Sequence, residues 1–166
     1  MRAVVKGWLG FAALGAGLIH LALVIGSPPV IGMPLLLIGL AEFAWGVFAF
    51  AAAELPVPRA ARIAAVVPLL FWVLMLLIGV SGGFPGVRVL PMLVASLLDL
   101  AIAVGVTALL RRAATEPRPL KPGRYLLALG AGALVVAALT TPALAATEAV
   151  GTVPPGTDLD QPGHGH

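Results

Sequence analysis

Three ionisable side chains stand inside long apolar stretches of this chain: His20, Glu42 and Asp99. An imidazole and two carboxylates are groups that pass protons or hold a metal ion. In hydrocarbon each is costly, so such residues face a bundle interior or a wet cavity. A His20–Glu42 or His20–Asp99 pair would share a proton and form one end of a relay. The same three groups also make a ligand set for a cation. Met33, Met75 and Met92 fall toward the same side as His20 in the topology derived below. Thioether and imidazole suit Cu(I), and His164 and His166 add a His-Gly-His tract. Copper or another metal ion is therefore the candidate cofactor, with His20, the three methionines, His164 and His166 as candidate ligands. A plainer reading stands beside these. Polar groups between membrane helices can simply hydrogen-bond and fix the packing. Glu42 has the Trp45 indole three residues on as such a partner, and methionines are more often core or lipid-facing residues than ligands.

The elements that must position these groups are membrane spans. The 166 residues are 60% hydrophobic and 10% charged, with a mean hydropathy of +1.08. That apolar excess is more than a core of this size can hide, so the solvent for most of the chain is lipid. A spanning helix needs about 20 apolar residues, and stretches at about 7–26, 31–53, 63–80, 90–110 and 125–146 qualify. Proline and glycine clusters end them: Ser27-Pro28-Pro29, Leu55-Pro56-Val57-Pro58, Ser81-Gly82-Gly83-Phe84-Pro85-Gly86 and Glu116-Pro117-Arg118-Pro119. The expected fold is an all-α membrane bundle of five helices over residues 1–147. Loops this short predict antiparallel packing of consecutive helices. Pro68 predicts a kink in the third span.

Orientation follows from the basic residues. Arg2 and Lys6 precede the first span, Arg59 and Arg62 follow the second, and Arg111, Arg112, Arg118, Lys121 and Arg124 follow the fourth. The other loops hold only Arg88, and the tail holds no Lys or Arg. Five spans with the N-terminus in the cytoplasm and the C-terminus outside satisfy every segment. This predicts a multi-pass plasma-membrane protein. The Pro- and Gly-rich segment 148–166 is expected to be a disordered extracytoplasmic tail. The fifth span, followed by Ala143-Leu144-Ala145, also resembles a signal sequence with a cleavage site near Ala145, although an ordinary last helix is the simpler expectation.

Small residues accompany the ionisable ones at helical spacing. Gly10, Ala13, Gly17 and His20 form one stripe. Gly39, Glu42, Gly46 and Ala49 form a second. Met92, Ala95 or Ser96, Asp99, Ala103 and Thr107 form a third. Such stripes mark close helix–helix contact in membranes. Counted along the helices, His20 lies about 9 Å from the outer end and the two carboxylates about 14–17 Å. One ion reaching all three would then need helix tilt or a bridging water. Access is expected from the outer face.

Several classes are excluded. There are no cysteines, hence no disulfide, thiolate metal site or cysteine nucleophile. No metalloprotease, serine-hydrolase or phosphate-loop motif occurs, so no enzyme activity is assigned. One intramembrane histidine excludes a bis-His haem within the chain. The net charge of +3 comes from loops and is no nucleic-acid footprint. Gly130-Ala131-Gly132 is read as a helix-packing stripe. The runs Gly-Leu-Ile-His-Leu at 17–21, Gly-Leu-Ala-Glu-Phe-Ala-Trp at 39–45 and Thr-Thr-Pro-Ala-Leu-Ala-Ala-Thr-Glu at 140–148 resemble the small multi-pass membrane proteins of GC-rich bacteria. That resemblance implies no known activity. The sequence thus points to a cation-handling membrane protein, proton or metal, centred on His20, Glu42 and Asp99. The alternative is an accessory or assembly subunit beside a membrane partner or a second copy of the chain.

Overall fold

The computed structural model describes residues 2–82, 88–111 and 121–148. Six helices follow in order: α1 (Arg2–Val24), α2 (Pro29–Ala51), α3 (Pro58–Ala64), α4 (Val67–Gly82), α5 (Val89–Arg111) and α6 (Pro122–Glu148). No strand occurs among the described residues. Among the described residues, five segments are long and apolar enough to cross a membrane, α3 and α4 together forming the third. The expected tail, with His164 and His166, and the Arg112, Arg118 and Phe84 positions lie outside the described residues.

Local chemistry explains the breaks. At the end of α1, Gly26 adopts a positive φ of 76°, and the Ser27 hydroxyl donates to the Leu23 carbonyl. Prolines at Pro28 and Pro29 then start α2, where a missing N–H costs nothing. Arg88 donates to the Ile25 carbonyl at 3.2 Å, so the lone basic residue of this end is occupied in closing that turn. At the opposite end, Lys6 donates to the Ala52 and Ala53 carbonyls just past α2. A cation there complements the negative end of the helix dipole.

The third span differs from expectation. It begins at Pro58, not near 63, and Pro68 breaks it rather than bending it. Proline lacks an N–H, and its ring clashes with the carbonyl four residues back, at Ala64. The ladder accordingly stops with Ala65 and Val66 donating to Ala61 and Ile63, and resumes with Leu70 donating to Val66. In α6, by contrast, the helix runs on through Pro142 and Ala145. Thr140 there donates back to the Val136 carbonyl.

The packing order also differs from a simple sequential bundle. The central element is α1, which packs on α2, α5 and α6; α5 in turn packs on α3, α4 and α6. No substantial contact joins α2 to α3 or α4, although they are consecutive spans. Small residues decide this, because close approach in lipid depends on them. A Cβ on Gly17 would lie 2.8 Å from the Gly39 carbonyl and the Phe43 nitrogen, and one on Gly46 would lie 3.0 Å from the Gly10 carbonyl. The α1 and α2 backbones therefore touch through the predicted stripes. The α6 stripe holds only in part: Gly132 packs under the Trp8 ring, whereas Gly130 faces open space. Trp8 is tied to α6 by a 2.7 Å hydrogen bond to the Ala128 carbonyl.

Candidate cation centre

The three predicted ionisable residues meet. His20 comes from α1, Glu42 from α2 and Asp99 from α5, and one candidate ligand atom from each lies within 4.8 Å of the others. His20 Nδ1 stands 2.7 Å from Glu42 Oε2, so the imidazole and the carboxyl group form a hydrogen-bonded pair that shares one proton. His20 is 1% exposed, Asp99 is fully buried, and the Glu42 side chain is 12% exposed. Glu42 Oε1 and both oxygens of Asp99 have no hydrogen-bond partner among the described residues.

The level difference counted along the helices is closed by side-chain direction. Cα–Cβ bonds lean toward the N-terminus of their own helix. The α1 and α2 helices are antiparallel, so His20 leans down toward the Lys6 end while Glu42 leans up to meet it. Asp99, on a helix parallel to α2, leans the same way as Glu42. Gly17 and Gly39, one turn before His20 and Glu42, bring the two backbones close enough for the pair to form. No bridging water is needed for the His20–Glu42 contact.

Two carboxylates this close, with three unmatched oxygens, cannot both be bare in so dry a place; a proton or a cation must neutralise them. Buried polar atoms in native structures nearly always find partners. Three acceptors this close together are satisfied when a proton or a cation sits among them. The residues fit a metal ion: one imidazole and two carboxylates supply donors for a borderline divalent cation, and together they offset its charge.

A cavity of about 420 Å³ reaches this centre. It lies between α2, α3 and α5, with Glu42 and Asp99 in its wall, and occupies the gap where α2 and α3 part. Its α3 side is built of small residues, Ala60, Ala61, Ala64 and Ala65, which leave the space unfilled. Val57, at its edge, holds a left-handed conformation with φ 36°. The cavity therefore extends toward the end that carries Lys6, Arg59 and Arg62. This differs from the outer access expected from depth alone. Leu23, Leu35 and Met92, nearer the other ends of α1, α2 and α5, are buried in the core cluster. Depth along a helix shows how far a residue is from each end. It does not show which pair of helices separates.

Other predicted residues fall elsewhere. Trp45 is not the partner of Glu42: its indole donates to the Pro56 carbonyl at 3.0 Å and pins the α2–α3 connection. Met33 is 58% exposed, Met75 is half-buried and Met92 belongs to the core. Sequence reasoning missed the alanine run at 60–65 as a cavity wall. The signal was present, since a run of small side chains beside a Pro-Val-Pro turn leaves volume that neighbours must fill.

Such an architecture is that of a polytopic helical membrane protein with a buried cluster of one histidine, one glutamate and one aspartate. Comparison with known proteins returns no matching family model, no matching curated protein and no matching solved structure.

Proposed function

We propose that this is a small plasma-membrane protein that binds a cation at the His20–Glu42–Asp99 centre and exchanges it for protons. The observation that carries the reading is the convergence of three unmatched carboxylate oxygens on an imidazole inside the bundle. The basic end lies in the cytoplasm under the positive-inside rule, which puts the N-terminus inside and the C-terminus outside. In this conformation the cavity serves the centre from the cytoplasmic side. Passage to or from the outer face requires the layer of Leu23, Leu35 and Met92 to part. The role is binding or translocation, with no catalytic step. Hard carboxylate oxygens beside one imidazole favour a divalent ion over Cu(I). An exposed Met33 and a Met92 within the apolar core give little support to a thioether site.

The test is titration of the purified full chain in mild detergent with Zn²⁺, Mn²⁺ and Cu⁺, followed by flux of the bound ion in proteoliposomes. One divalent equivalent is expected, with proton release on binding. Glu42→Gln and Asp99→Asn should abolish it, and His20→Ala should weaken it. If all three variants leave metal content and ion flux unchanged, the cation reading fails. A stoichiometric membrane partner whose retention depends on these residues would instead establish the accessory-subunit role.

A further inference from the structure

A second concavity, unrelated to the buried centre, lies on the lipid-facing side between the third span and α5. Its volume is about 810 Å³. Arg62 stands at one side of its mouth and Arg111 at the other. Both are exposed, and neither guanidinium meets a hydrogen-bond or ion-pair partner among the described residues. This sets them apart from Lys6 and Arg88, whose donors are committed to backbone carbonyls. Below the mouth the walls are apolar: Val66, Val67 and Leu70 on one side, Ala103 and Val104 on the other. Thr107 adds no free polar group, because its hydroxyl donates to the Ala103 carbonyl at 2.7 Å.

Position along the helices gives the concavity its direction. Arg111 is the last residue of its span and Arg62 is in the first turns of its own. Leu70 is eight residues from Arg62 and Val104 seven from Arg111, so the groove descends about 10–12 Å from the headgroup level into hydrocarbon. The break at Ala65–Val66 opens it, since α3 and α4 cannot run as one straight rod along α5. A groove with two uncommitted guanidiniums at headgroup depth and apolar walls beneath matches one kind of molecule. Guanidinium forks recognise phosphate in two-pronged fashion, and the apolar walls take an acyl chain. A water-soluble anion would leave the walls unused, and a zwitterionic lipid brings a cationic headgroup that the two arginines repel.

We infer that this groove holds an anionic glycerophospholipid, its phosphate between Arg62 and Arg111 and one acyl chain against Val66, Leu70 and Val104. The volume falls in the range of about 300–1,000 Å³ typical of ligand pockets. The inference does not depend on the cation at the buried centre. Two basic side chains near a membrane surface each contribute about fivefold to binding of an anionic lipid. Native mass spectrometry of the full chain, with phosphatidylglycerol and phosphatidylcholine of identical acyl chains, reads this directly. One phosphatidylglycerol should be retained in preference to phosphatidylcholine. Arg62→Gln or Arg111→Gln should each cost about fivefold in retention and the pair about 25-fold. Leu70→Trp, which fills the groove with both arginines in place, should also displace the lipid; circular dichroism checks that each variant keeps its helices. Equal retention of the two lipids, or a double variant that binds phosphatidylglycerol as before, overturns the inference. Stoichiometric binding of inorganic phosphate that survives Leu70→Trp would overturn it too, by showing a free-anion site.

Discussion

Replacing Gly17 by alanine tests whether close backbone contact builds the centre. The new Cβ would stand 2.8 Å from the Gly39 carbonyl oxygen and 2.8 Å from the Phe43 nitrogen, while ordinary contact begins at 3.4 Å. Both neighbours are backbone, so no side chain can swing aside. The helices must part by 3.4 − 2.8 = 0.6 Å or more. Overpacking of this kind costs about 1–3 kcal/mol. Alanine also returns about 1 kcal/mol of helix propensity. Gly130→Ala supplies the reference, because nothing lies within 4 Å of its Cβ and only the propensity term remains. The difference between the two variants isolates the clash at about 1–3 kcal/mol. The same displacement would stretch the 2.7 Å His20–Glu42 contact to about 3.3 Å, past the usual hydrogen-bond range. Equilibrium unfolding in detergent reads the first quantity, and Zn²⁺ titration reads the second. If Gly17→Ala is as stable as Gly130→Ala and binds metal like the parent chain, the backbone-contact argument is wrong.

Val57→Gly should stabilise the fold by about 0.5–1 kcal/mol, because a β-branched residue at φ 36° gives up its left-handed strain while glycine costs some unfolded-chain entropy; a lower melting temperature would contradict this. The absence of cysteine makes single-thiol mapping clean. Ala41→Cys, in the cavity wall, should react with a water-soluble thiol reagent applied from the basic side, and Ala143→Cys, fully buried, should stay unlabelled; the reverse pattern would refute the access route. Metal affinity should rise with pH, since the carboxylates bind a metal only when deprotonated. Zn²⁺ affinity that is flat between acid and neutral pH would remove the proton-exchange step. Trp45→Phe loses the bond to Pro56 and should cost about 1 kcal/mol without changing metal stoichiometry, as read by unfolding and titration in parallel.

Much of this architecture is legible in the sequence. Apolar runs of spanning length, with Pro and Gly between them, define five membrane-length segments because lipid imposes both conditions at once. The stripes around His20 and Glu42 were visible as Gly17 and Gly39, and those residues do form the close contact. What was not legible depends on partners distant in sequence. Nothing in 58–82 says that its helix abandons α2 for α5, since that depends on the surfaces of all three. The level mismatch between His20 and Glu42 was an artefact of counting Cα positions, and leaning side chains remove it. The Trp45–Glu42 pairing failed for a similar reason: the indole reaches a carbonyl freed by the Pro56 turn, which helix spacing cannot reveal.

The place of α1 at the middle of the bundle has a consequence for how the molecule is made. Synthesis delivers the N-terminal segment first, so the helix that ends up most enclosed must wait in the bilayer for its neighbours. Its histidine would be alone in lipid but for α2, which follows after a turn of a few residues and brings Glu42 to it. The hairpin of α1 and α2 therefore leaves the ribosome with His20 already paired to one oxygen of Glu42. Asp99 arrives some fifty-seven residues after Glu42. Only then does the centre acquire its surplus of acceptors. The order of synthesis would leave the three-residue cluster incomplete until the fourth span is in place.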